Sequence, residues 1–205
     1  MLRISLLIIL LCLVGAGCTV NEVIVADETE LVVADAPADE SRLLDIGIVE
    51  FDSGIDEDND PRKTGVHEEI RFAETKYLAY HLKTTLQGTG HWGAVRVIPS
   101  REAFTDVVIS GDIEKSDGEF VVLNISVEDA SGTHWYDKSY ETQTGVTSYS
   151  ERRDRRLDPY QKVFNDIAND LHAHAELLEP KRLRQVRQIS ELKFFADMSP
   201  LAYGE

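Results

Sequence analysis

Three carboxylates on alternate residues, Asp56, Asp58 and Asp60, follow an apolar run in the stretch GIDEDNDP, residues 54–61. They fill the first, third and fifth places of a calcium-binding loop. Such a loop needs glycine at its sixth place for a sharp turn and a bidentate carboxylate at its twelfth. Pro61 and His67 stand there instead, and a strand rather than a helix precedes the stretch. The spacing therefore predicts a solvated acidic loop and no metal. His172 and His174 sit in an HAH triplet, but residues two apart on a helix point about 200° apart and cannot share one ion. They are expected to be exposed at a helix end. His81, His91 and His134 are isolated in sequence, and no paired metal-ligand spacing occurs. There is no G-x-S-x-G elbow. Gly88 and Gly90 follow a helical pattern, where a phosphate loop would precede one. Adjacent carboxylates such as Glu68 with Glu69, or Glu128 with Asp129, say little in a chain with 37 acidic residues. These residues predict no catalytic centre, no metal and no cofactor.

Two other groups suggest contacts rather than chemistry. The basic run Arg152, Arg153, Arg155 and Arg156 interrupts an acidic chain. It reads either as a solvated turn or as a contact for an anionic partner, including the acidic surface of another copy in an oligomer. Near the C-terminal end, Phe194 and Phe195 open the stretch FFADMSPLAYGE, whose aromatic and apolar groups follow no core period. Exposed together they would form an interaction patch. These six residues are the expected partner surface. Trp92 and Trp135 are expected to pack in the core or at its rim.

The formal charge is −16. Residues 45–150 hold twenty acidic and nine basic side chains, whereas residues 151–205 hold ten of each. An acidic body repels nucleic acid and anionic lipid, so neither is an expected partner. The first residues, MLRISLLIILLCLVGAGC, place Arg3 before an apolar run and small residues before Cys18. That layout is a secretory signal over residues 1–17, too short for a stable bilayer span. The small residues before the cysteine resemble a bacterial lipobox, which would make Cys18 the acylated first residue. An ordinary signal cleaved nearby is the alternative, because Gly15 stands where such boxes carry Leu or Val. Loss of the signal removes Cys12 and leaves no second thiol for a disulfide within the chain. Thr19 follows the cysteine, without the aspartate that retains lipoproteins in the inner membrane, so this resemblance implies the outer one, facing the periplasm.

The elements follow from periodicity. Residues 18–43 mix Val, Ala, Asp and Glu without a helical period and read as an acidic tether, flexible or only locally ordered. A domain is expected over residues 44–176. IGIVEF (46–51) predicts a buried strand, residues 66–86 a helix with Ala79, Leu82 and Leu86 on one face, and AVRVI (94–98) a second strand. Three strands follow at 106–115, 119–129 and 134–142, joined at Asp117-Gly118 and Ala130–Thr133 as an antiparallel meander. Tyr160, Val163, Phe164, Ile167, Ala168 and Leu171 recur at helical spacing after Asp158-Pro159, a capping pair. Residues 177–205 form a helical extension, with a helix over 180–197. The class is α+β: a mixed sheet with helices on one face and a C-terminal helical pair.

Three pieces carry a resemblance: IGIVEF, the helix ending LKTTLQGTGHW before AVRVIP, and VVISGDIEKSDGEFVVLNISVEDASGTHWYDKSYE, with Asp129 and Gly132 at its turn. In this order they resemble the small α/β domain shared by the TolB N-terminal domain, the LpoB-type lipoproteins and the CsgG-like proteins. The helix from Tyr160 to Leu171 resembles their closing helix. The resemblance implies a non-enzymatic envelope protein: an adaptor or assembly component, or else an activator of a cell-wall synthase. Membership of a secretion pore is not expected, since no long amphipathic barrel strands are present.

Overall fold

The computed structural model describes residues 29–36, 43–55, 65–101, 104–143 and 160–199. Within them the order is β1 (Ile46–Val49), α1 (Glu68–Thr89), β2 (Val95–Ile98), β3 (Val107–Ser116), β4 (Phe120–Asp129), β5 (His134–Gln143), α2 (Gln161–Glu176) and α3 (Pro180–Met198). The five strands form one sheet in the order β2-β1-β3-β4-β5. β1 runs parallel to both β2 and β3, and β3, β4 and β5 are antiparallel. The fold is α+β with a mixed sheet, and α1 makes the crossover that a parallel β1–β2 pair requires.

Alternation along the strands sorts one apolar face from one polar face. Ile46, Ile48, Val107, Ile109, Ile113, Leu123, Ile125 and Val127 are buried on the first. Onto it pack Leu78, Leu82 and Leu86 of α1 and Val163, Phe164, Ile167 and Leu171 of α2. Each such side chain contributes about 1.5–3 kcal/mol by leaving water. Trp92 and Trp135 join this core. The opposite face presents Ser110, Asp112, Asn124 and Ser126 at paired positions.

Several local expectations need correction. α1 runs past Gly88 to Thr89 and stops at Gly90, whose φ of 72° supplies the left-handed cap. Arg71, in the first turn of α1, is a charged residue yet only 4% exposed. Its guanidinium donates to the carbonyls of Ser53 (3.1 Å), Ile113 (3.2 Å) and Ser116 (3.2 Å), and pairs with Glu74 at 3.0 Å. A buried cation is tolerated here because each side of the fork has an acceptor.

Local order, one of the two alternatives for the tether over residues 18–43, is seen at residues 29–34. Residues 29–34 lie along α2 and the end of α1. Val32 N–H donates to Asn169 Oδ1 (2.9 Å) and Ala34 N–H to the Thr89 carbonyl (2.8 Å). Asn165 and Asn169 Nδ2 donate in turn to the carbonyls of Thr29 (2.7 Å) and Glu30 (2.9 Å). A short extended segment can be held this way through its own backbone atoms, without a strand period in its sequence. α2 begins at Gln161 with Tyr160 at its N-cap, two residues later than the cap expected at Asp158-Pro159. That pair and the acidic loop at Asp56, Asp58 and Asp60 lie outside the described residues.

Candidate functional site

β1 and β3 begin, and β4 ends, at one end of the sheet, and α3 is fastened there by polar contacts. Three carboxylates organise this end. Asp45 accepts from Ala94 N–H (2.7 Å) and lies 3.4 Å from Arg96, joining the starts of β1 and β2. Asp106 accepts from Asp45 N–H (2.8 Å), joining β1 to β3, and from the Ser190 hydroxyl of α3. Asp129 closes the β4–β5 turn by accepting from Ser131 N–H (2.8 Å), the Ser131 hydroxyl (2.5 Å) and Trp135 Nε1 (3.1 Å). A bulge beside Glu128 shifts the register of β5 at Trp135, and the indole reaches this carboxylate.

Arg182 of α3 then donates to Asp129, Ser131 and Thr133, each at 2.7 Å. Arg187 donates to the Leu43 carbonyl at 3.1 Å. Arg182, Val186 and Ser190 recur every four residues, so one line along the helix carries an ion pair, a fully buried apolar side chain and a hydroxyl bond. Burial pushes the Asp129 pKa up, but the bonds from Ser131 and Trp135 and the charge of Arg182 outweigh it, and the value falls below the ordinary range. For Asp106 burial wins, and the pKa rises despite the Ser190 bond.

Past Ser190 the apolar side chains at the end of α3 are only partly covered. Phe194 is 45% exposed and Phe195 53%, and Phe104 from the segment before β3 is 43% exposed. Phe104 and Phe194 meet edge to face at 6.0 Å between centroids, and Phe194 and Phe195 at 5.9 Å. With Asp106, Arg187 and Ser190 they line a hollow of about 450 Å³. Leu192 and Met198 extend the exposed apolar surface. Such a patch on a rigid support suits protein contact.

Of the expected partner residues, Phe194 and Phe195 are therefore brought together at this surface. Arg152, Arg153, Arg155 and Arg156 lie outside the described residues, as does Cys18. Sequence reasoning missed Phe104, Asp106, Arg182 and Ser190. The recurrence of Arg182, Val186 and Ser190 was a signal, but it is mostly polar and so does not stand out as a buried face.

The histidines also differ from expectation. His172 and His174 do point apart, yet neither stands free at a helix end. His172 stacks on His91 with ring centroids 3.6 Å apart, and His174 stacks on Trp135 at 4.9 Å. Burial lowers the His91 pKa, helped by the charge of His172 and opposed by the Val32 backbone and Glu176. Burial also lowers that of His174. Among the described residues no group of three or more His, Cys, Asp or Glu side chains is arranged to hold a metal, and no helix is long and apolar enough to cross a membrane. A broad hollow of about 990 Å³ is lined by Ser110, Asp112, Asn124, Ser126 and Ser139 among others. Asn124 Nδ2 donates to Asp112 there at 3.0 Å.

The sequence matches no known family model and no curated protein. Among solved structures, a dodecamer of a PelC variant from Paraburkholderia phytofirmans is similar to it, with 18% identity over 74% of this chain and 93% of that chain and a TM-score of 0.38. At that score the likeness carries no argument about partner or assembly.

Proposed function

We propose that this chain is a non-catalytic adaptor or assembly component of a bacterial envelope complex, anchored to the outer membrane by acyl chains on Cys18 and facing the periplasm. The signal-like start and the small residues before Cys18 support the anchor. The observation that carries the adaptor reading is the cluster of Phe104, before β3, with Phe194 and Phe195, about half exposed on a helix latched to the sheet end through Arg182 and Ser190. Aromatic groups on a preorganised support bind a partner without a large ordering cost.

The test is cross-linking capture from membranes with the full-length protein, comparing wild type with a Phe194→Ser, Phe195→Ser variant. Loss of one envelope partner from the variant, with the circular dichroism melt unchanged, supports the reading. Identical capture by both proteins overturns the assigned surface. A cell-wall synthase as the captured partner would mark the chain as an activator instead.

A further inference from the structure

We infer that the groove where the end of α1 meets α2 is a binding site for extended peptide backbone, and that its resident, residues 29–34, is a releasable strap that sets how far the domain stands from its anchor. Asn165 and Asn169 lie four residues apart on α2, so both amides project to one side. Asn169 satisfies a carbonyl and an N–H of the strap together, from Glu30 and Val32, as a neighbouring β-strand would. Asn165 is aimed beforehand: its Oδ1 accepts from Gln161 Nε2 at 2.9 Å, and Gln161 also donates to Thr85 of α1 at 3.0 Å. That bond turns Asn165 Nδ2 toward the Thr29 carbonyl.

Recognition is through the backbone. Leu31 alone among the strap's side chains packs against the core, while Val32 and Val33 remain about half exposed. Opening would uncover little apolar surface and would free polar groups that water can satisfy, the signature of a low-cost local opening. The consequence is geometric, and it rests on the reading of Cys18 as the anchor. With the strap seated, residues 19–28 span at most about 35 Å, whereas release lets residues 19–43 span about 85 Å.

The test uses the lipidated full chain and an Asn165→Ala, Asn169→Ala variant, whose helix is not weakened because alanine favours it. Amide exchange at Val32 and Ala34 is expected to quicken about tenfold, with β3 and β4 unchanged. A dye on Gln188→Cys, in vesicles of phosphatidylethanolamine and phosphatidylglycerol bearing a headgroup acceptor, is expected to transfer less energy in the variant. Unchanged exchange overturns the strap. Quickened exchange with unchanged transfer, in protein shown to be acylated, overturns its role as a gauge. If mass spectrometry finds no acyl chain on Cys18, the anchor reading falls and the gauge with it.

Discussion

The Arg182 guanidinium lies 2.7 Å from the Asp129 carboxylate, whose side chain is fully buried. One contact therefore joins the β4–β5 turn to a helix 53 residues further along the chain. Arg182→Ala would leave Asp129 charged and buried with only its Ser131, Thr133 and Trp135 donors. A loss of about 2 kcal/mol is expected, the range for a hydrogen bond to a charged group, and urea melts at neutral pH measure it.

The same carboxylate makes stability depend on pH with a definite sign. The Asp129 pKa in the folded protein lies below its ordinary value of 3.8. Its contribution is therefore complete above that value and is lost as pH falls through the lower, folded one. Denaturant melts between pH 5 and pH 2 are expected to fall more steeply for wild type than for Asp129→Asn. Parallel curves would remove Asp129 from the acid transition.

Arg71 is expected to matter more than its place near the start of a helix suggests. Arg71→Met would leave the carbonyls of Ser53, Ile113 and Ser116 without this donor, two of them at part-buried contacts. The expected cost is about 3 kcal/mol in a urea melt. Arg71→Lys is expected to recover part of it, since an ammonium cannot reproduce the planar fork.

Two glycines separate close packing from conformational freedom. A Cβ on Gly111 would overlap the Asn124 carbonyl oxygen across the β3–β4 pair, so Gly111→Ala must force backbone apart. Gly118 has open space around it but a φ of 85° in the hairpin turn. Gly118→Ala is expected to cost about 1 kcal/mol, and Gly111→Ala more than twice that. Thermal melts of the two variants side by side decide between them.

What could be read from sequence follows the same physics. The meander was legible because Val121, Leu123, Ile125 and Val127 alternate without interruption, and α2 because its apolar residues keep one period over three turns. The sheet order was not, since nothing in IGIVEF tells which strands lie on either side of it. α3 was visible as a helix, but its docking was hidden because the line that faces the sheet end sets an ion pair and a hydroxyl on either side of the buried Val186. The strap reads as tether for a similar reason: backbone atoms hold it, and those are common to every sequence. Phe194 and Phe195 stood out in the sequence. Phe104 did not, because the contact that groups it with them spans ninety residues.

The aromatic cluster is expected to be separable from stability. Phe164 is fully buried, so Phe164→Ala would open a cavity and cost about 3–5 kcal/mol. Phe194 and Phe195 keep about half their surface in water, and their neighbours include Phe104, itself partly exposed. Serine at both positions removes little buried area, and α3 stays fastened by Arg182, Val186 and Ser190. A loss of less than about 1 kcal/mol is expected for the pair. Binding of an apolar dye such as ANS to the folded protein is expected to fall at the same time, because the exposed patch shrinks. Urea melts and dye titrations on the same samples check both halves. A large loss of stability would place the rings among the contacts that hold α3 down, and the surface assigned to a partner would then be part of the fold.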